Sequence, residues 1–227
     1  MPVAGCHGRF RKGKIAAVDV RSKHRVQIAA AAGVAVVLGI LIARGILART
    51  PYKIDPALLS NWTLAAAPPG NRAVVEAKPP SRLLDELFRQ VSRRTNHPLV
   101  PAERAAVPLV LADEYSDSLQ GALSVQDIIS VGEGVGLDTA RFEPVCIAER
   151  HRENGDELYF AVFDAPLFDQ FRYELTPLFP EQAGAGVYYP PAVRLILAVA
   201  ATSKDFDGWW PIGVNPQDDC SVSLRAD

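Results

Sequence analysis

The longest apolar stretch of the chain, Val26–Ala43, is eighteen residues long, carries no charge and has Gln27 as its single polar side chain. At about 1.5 Å per residue, a helix of this length extends roughly 27 Å, close to the ~30 Å hydrocarbon core of a bilayer. Arg44 can direct its charged end towards the interface, so the helix can continue to Leu47. The pattern therefore predicts one transmembrane helix over residues 26–47.

Small residues recur along this predicted span at helical spacing. Ala31, Ala35 and Gly39 share one stripe, and Ala29 with Gly33 repeats the four-residue interval. Small side chains let helix backbones approach closely in lipid, where packing drives association. A plain alanine-rich span would show the same residues, but the stripes also predict packing against other membrane helices. These five positions are the candidate helix-packing residues.

Six prolines follow within residues 48–80, and such a density disfavours both helices and central strands. Only one short helix is predicted here, with Asp55 as its N-cap, Pro56 in its first position and Trp62 on its apolar side. We expect that side to lie on the membrane surface or on a partner, which makes Trp62 a candidate interface residue. The whole segment is predicted to be an extended linker.

Two helices are predicted at the start of the remaining chain. Ser81 caps the segment SRLLDELFRQVSRR, whose leucines form one apolar face. Ser124 and Asp127 form a capping box before a second, shorter helix that ends at Gly132 or Gly134. The glycines of VGEGVG follow a helix rather than a strand, so they indicate a helix-ending turn and not a dinucleotide-binding loop.

The clearest hairpin signal is Asn154-Gly155, which lies between the strand patterns Glu143–Arg152 and Glu157–Asp164. Asn-Gly tolerates the left-handed angles of a two-residue type I′ turn. Further strands are predicted over Val107–Ala112, Arg172–Leu178 and Val193–Ala200. With helices leading and strands following, residues 81–227 are predicted to form a small, mostly antiparallel α+β domain.

Charge is strongly segregated along the chain. The net charge is +6 over residues 1–25, +3 over residues 44–80 and −11 over residues 81–227. Lys and Arg stay preferentially on the cytoplasmic side, so residues 1–25 are predicted to be a cytoplasmic tail at the inner membrane. The domain is then periplasmic, or in the equivalent organellar space. A cleaved signal peptide is disfavoured because the nearest suitable site, Ala65–Ala67, lies far beyond the apolar run.

Cys146 and Cys220 are the two cysteines on the predicted outer side, and a bond between them would close a 74-residue loop. Disulfides form in oxidising compartments, which makes this pair a candidate disulfide. A buried free thiol at Cys146 is the alternative. The sequence has no Cys-x-x-Cys motif and its histidines are scattered, so no metal site is predicted.

No catalytic or cofactor motif is found, and the acidic domain disfavours nucleic-acid binding. Trp209 and Trp210 are candidate interface residues because aromatic rings beside a turn suit interfaces. We therefore expect a non-enzymatic accessory or structural subunit of a multi-protein membrane complex, for example photosynthetic or respiratory. It would contact other subunits and the lipid bilayer through the transmembrane helix and linker. The alternative is a membrane-anchored periplasmic ligand-binding module or hydrolase that uses residues 205–210.

Overall fold

The computed structural model describes residues 50–175, 194–204 and 216–227, together with Gly39. The chain divides into two units, Met1–Gly45 and Ile46–Asp227, and the fold below is that of the second. Gly39 is helical and exposed. The other four candidate helix-packing residues, and Trp209 and Trp210, lie outside the described residues. In the described ranges, no helix combines the length and apolar character needed to cross a membrane.

Strands and helices alternate along the described chain. The strands are β1 (Tyr52–Ile54), β2 (Thr63–Ala66), β3 (Ala73–Lys78), β4 (Val100–Pro101), β5 (Val107–Leu111), β6 (Glu143–His151), β7 (Glu157–Asp164), β8 (Leu195–Ala201) and β9 (Cys220–Ala226). The helices are α1 (Ser81–Arg94), α2 (Ala112–Glu114), α3 (Val125–Gly134), α4 (Pro166–Glu174) and α5 (Pro216–Asp219). A 3-10 turn spans Pro56–Leu58, and a π-helical turn over Tyr115–Leu119 continues α2.

These strands form two sheets. The larger has the order β1-β9-β6-β7-β8-β4, in which β1 and β9 pair in parallel and the other neighbours are antiparallel. The smaller has the order β2-β3-β5 and is antiparallel. The predicted α+β class is therefore confirmed for the described part of the chain. Within residues 81–227 the first element is a helix, as predicted, but the later helices alternate with the strands instead of all preceding them.

Residues 50–80 belong to the folded unit, so the prediction of an extended linker is wrong for them. They contribute β1 to the edge of the large sheet and both β2 and β3 to the small sheet. The prolines do not oppose this, because they lie before β1, in the 3-10 turn, between β2 and β3, and before α1. At such positions a missing N–H group removes no ladder hydrogen bond.

Trp62 lies in the core and not on a surface, so its assignment as an interface residue is also wrong. Its side chain is fully buried. The indole stacks on Phe142 with ring centroids 3.8 Å apart and meets Phe163 edge-on at 5.3 Å. Its Nε1–H donates to the carbonyl of Leu58 at 2.9 Å, which satisfies the one polar atom of the ring. Asn61 takes a left-handed φ of 58° to turn the chain inwards.

The helix signals are confirmed with a small shift at α1. That helix begins at Ser81, but Pro80 and not Ser81 occupies the N-cap position. The capping box before α3 forms as predicted, with Ser124 Oγ accepting from the Asp127 N–H at 3.2 Å. Asp127 accepts in return from the Ser124 N–H and hydroxyl, and these bonds hold the pKa of its carboxyl below the usual range.

The predicted hairpin is confirmed in its strands but not in its turn. Gly155 has a positive φ of 86°, whereas Asn154 does not, so the two-residue type I′ turn is wrong. The Gly155 N–H donates to the Arg152 carbonyl and the Arg152 N–H to the Asp156 carbonyl, which leaves a three-residue loop. Consequently His151 pairs with Glu157.

Two further strand predictions have different outcomes. Val193–Ala200 corresponds to β8, which the structure places at Leu195–Ala201. The predicted strand Arg172–Leu178 is wrong up to residue 175, because Arg172 lies in the last turn of α4. The chain after Leu175 lies outside the described residues. The strand prediction failed because Arg172 continues the buried helical face that Phe168 and Phe171 begin.

The candidate disulfide is confirmed as a cysteine pair at bonding distance. Cys146 of β6 and Cys220 of β9 have Cα atoms 5.7 Å apart and a sequence separation of 74 residues. Their strands are neighbours in the large sheet, where Cys220 pairs with Ala148, two residues along β6 from Cys146, so the cysteines are diagonal neighbours. The bond therefore ties the C-terminal strand to the hairpin.

Replacing Trp62 tests whether residues 50–80 belong to the folded core. Trp62→Ala should lower the free energy of unfolding by about 3–5 kcal/mol, because it leaves a cavity between two phenylalanines. The measurement is urea denaturation of the full chain in detergent, monitored by far-UV circular dichroism. Tyr173→Ala is the matched control, since Tyr173 is 71% exposed. Equal unfolding midpoints for the two variants would contradict the assignment.

Candidate ligand-binding cleft

A cleft of about 210 Å³ opens between the small sheet and the end of β8. Its walls come from β3 and the turn before it, from β5, from the segment that leads into β5 and from the residues that follow β8. The polar lining is Asn71, Arg72, Glu76, Glu103, Arg104 and Lys204.

Glu76 faces the cleft because of its place in β3. Val75 and Ala77 on either side of it are fully buried in the main core, so the alternation of a strand turns Glu76 to the opposite face. The pairing with β5 is irregular here: Val75 pairs with Val110, and Glu76 pairs with Pro108. Glu76 is nevertheless only 1% exposed. A buried carboxylate requires compensation from neighbouring charges or donors.

That compensation reaches only one of the two carboxylate oxygens. Arg104 Nη1 donates to Oε1 of Glu76 at 2.7 Å, and Lys78 Nζ lies 3.5 Å from the same atom. The other oxygen, Oε2, is buried and has no hydrogen-bond partner. A buried acceptor without a donor costs free energy that folding alone does not recover. Oε2 of Glu76 is therefore the atom of the cleft most in need of a donor from a ligand.

Cations dominate the rim of the cleft. Arg72, Arg104 and Lys204 are exposed, and they outnumber the carboxylates of Glu76 and Glu103 by three to two. Within the described chain, neither Arg72 nor Lys204 forms an ion pair with a carboxylate. The cleft is thus a positive region in a domain whose net charge is negative, and its free cations can receive an anionic group.

None of these lining residues is among the site residues predicted from the sequence. Glu76 was assigned to the linker, although the run AVVEAK before Pro79 has the alternation of a strand with one charge in its middle. That charge among β-branched residues was the available signal. The predicted site over residues 205–210 lies outside the described residues and stays a prediction. It follows Lys204 directly in the chain.

Comparisons of the chain with protein-family models, with curated proteins and with solved structures found no match.

Replacing Arg104 tests how strongly Glu76 depends on its partner. Arg104→Met should lower the free energy of unfolding by about 1–3 kcal/mol, because the buried carboxylate loses its shortest charge-assisted hydrogen bond. Arg82→Met is the control, since Arg82 faces Asp55 at 3.5 Å on the surface and should change stability by less than about 0.5 kcal/mol. Urea denaturation measures both, and an unchanged stability of Arg104→Met would show that Glu76 needs no cation.

Proposed function

We propose that this chain is a membrane-anchored, extracytoplasmic binding module whose cleft takes up a small zwitterionic solute of the amino-acid or short-peptide class. The observation that carries the proposal is that Glu76 lines the cleft and that its buried Oε2 has no hydrogen-bond partner. An ammonium group placed there would donate to this oxygen and satisfy it.

The rim defines the other end of the ligand. A carboxylate or another anionic group suits Arg72 and Lys204, which are exposed at the cleft. A simple amine would leave these cations without a counter-charge, and a simple anion would bring negative charge to Glu76. A zwitterion complements both ends. The volume of about 210 Å³ is below the range of roughly 300–1,000 Å³ that is typical of drug-sized ligands, so the solute is small.

Sequence and structure both support an oxidising compartment for the domain. Cys146 and Cys220 lie at disulfide distance, and such pairs persist outside the reducing cytoplasm. The basic tail over residues 1–25 and the apolar run after it support an inner-membrane anchor with a cytoplasmic N-terminus. The described lining of the cleft supplies charges and an acceptor rather than a nucleophile. We therefore propose binding without turnover.

Calorimetric titration of the full chain in detergent with the common amino acids and with dialanine tests this proposal. We expect at least one of these solutes to bind, and Glu76→Gln to weaken that binding about tenfold or more, since a neutral amide loses the charge-assisted bond. Glu133→Gln, on the exposed side of α3, is the matched control and should bind as the wild type does. If no zwitterion binds, or if Glu76→Gln binds equally well, the proposal is wrong.

A second candidate function is an accessory subunit of a multi-protein membrane complex, photosynthetic or respiratory among others. It is favoured by the small-residue stripe of Ala31, Ala35 and Gly39, with Ala29 and Gly33 beside it. Because residues 50–80 are folded, the contacts with other subunits would come chiefly from the transmembrane helix and less from a linker. The two functions are compatible, since a binding module can belong to a larger assembly.

The native mass in a mild detergent, with partners identified by mass spectrometry, tests the subunit function. We expect co-migration with a larger complex, and a shift towards the monomer in Gly39→Leu, because a bulky side chain prevents close approach of the helices. Val34→Leu, on the face of the predicted helix that carries neither stripe, should leave the complex intact. A lone monomer for the wild type would contradict this function.

A further inference from the structure

A second polar cluster lies near the turn of the β6–β7 hairpin, and it shares no residue with the cleft lining. Glu149 and His151 of β6 stand opposite Tyr159 and Glu157 of β7. These four side chains lie on the same face of the sheet as Ile147 of β6. Ile147 belongs to the main core, so this face is apolar away from the turn and polar near it. All four residues belong to paired strands, so the backbone of the sheet holds their side chains on one face and no loop has to become ordered to bring them together.

The possible ligand atoms of this cluster are close together. One atom each from Glu149, His151 and Glu157 lies within 4.8 Å of the others. His151 Nε2 is 3.2 Å from Glu149 Oε1, and His151 Nδ1 is 3.8 Å from Glu157 Oε1. Ligand atoms that are each 2.0–2.2 Å from a metal ion lie about 3–3.5 Å from one another. The two contacts involve different nitrogens of His151, and a single ion takes only one of them. Binding therefore requires side-chain rotations that close the cluster from within 4.8 Å to this spacing.

Glu157 is held in place by two neighbours. The Tyr159 hydroxyl donates to Glu157 Oε2 at 2.7 Å, and His97 Nε2 lies 2.7 Å from the same oxygen. Burial opposes ionisation of this carboxyl, but the bonds from Tyr159 and His97 outweigh it and leave the pKa of Glu157 below its usual range. The two contacts fix the orientation of the Glu157 carboxylate within the cluster.

We propose that Glu149, His151 and Glu157 form a binding site for one divalent transition-metal ion of the zinc class. An imidazole selects such ions over Ca²⁺ and Mg²⁺, which prefer oxygen ligands alone. Two carboxylates neutralise the charge of the ion, and three protein ligands leave a coordination position open for water or a further donor. Tyr159 and His97 act as positioning residues, because outer hydrogen bonds orient a ligating carboxylate.

The test is a calorimetric titration of the chelator-treated full chain with ZnCl₂, in detergent and without a histidine tag. We expect one Zn²⁺ per chain with a dissociation constant in the micromolar range or tighter, together with a visible absorption band when Co²⁺ replaces Zn²⁺. His151→Ala and Glu149→Gln should each weaken binding about tenfold or more, since outer-shell changes alone cost 10–100-fold.

Two controls separate loss of a ligand from loss of the fold. Glu143→Gln removes a carboxylate from the other end of β6, where Glu143 is largely exposed, and should bind Zn²⁺ as the wild type does. His151 is 63% exposed at its side chain, so His151→Ala should unfold at the wild-type temperature in the presence of chelator. Absence of stoichiometric binding, or wild-type affinity in both His151→Ala and Glu149→Gln, would overturn the proposal. The second result would locate the ion at other histidines, such as His7 and His24.

Discussion

The burial of Trp62 is the interaction on which the rest of the described fold depends. Trp62 directly precedes β2 of the small sheet, while its ring partners, Phe142 and Phe163, lie before β6 and in β7 of the large sheet. One aromatic contact therefore fixes the two sheets relative to each other. The N–H of Phe142 also donates to the carbonyl of Leu59 at 2.7 Å, which holds the same two chain segments together. The cleft opens between the small sheet and β8 of the large sheet, so it requires the two sheets to be held together.

Two carboxylates with buried side chains, those of Glu114 and Glu76, differ in the partners that their oxygens have. Both oxygens of Glu114 meet the guanidinium of Arg172, which also donates to the carbonyl of Leu109 at 2.9 Å and so ties α4 to α2 and β5. Nη1 is the nitrogen of Arg172 that makes these hydrogen bonds, because Nε and Nη2 are buried without a hydrogen-bond partner. Glu76 is equally buried, yet one of its oxygens has no donor. Among the described residues that hold a buried side-chain atom without a hydrogen-bond partner, Glu76 is the one that lines the cleft, which is why the cleft carries the proposed function.

Local signals in the sequence were sufficient for several elements. The capping box of Ser124 and Asp127 predicted α3, because its hydrogen bonds join residues three apart. The strands of the hairpin and the pairing of Cys146 with Cys220 were also predicted, the latter from charge and compartment. Proline density misled over residues 50–80, because a count of prolines does not show whether they lie within strands or between them. Glu76 was missed for the same reason, since it sits on a strand in a segment interpreted as a linker.

The β6–β7 hairpin has a register that the sequence alone did not predict. Its two strands were determined by alternating apolar residues around Asn154-Gly155, but the register was not. A two-residue turn would pair His151 with Leu158 and place Glu157 on the opposite face of the sheet. The three-residue loop instead pairs His151 with Glu157 and brings Glu149 beside them. The sequence by itself determined the class of the fold, the helices α1 and α3 and the charge segregation, because these depend on near neighbours and composition. The tertiary structure decided the cleft and the cluster, because both depend on register and on contacts between residues far apart in the chain.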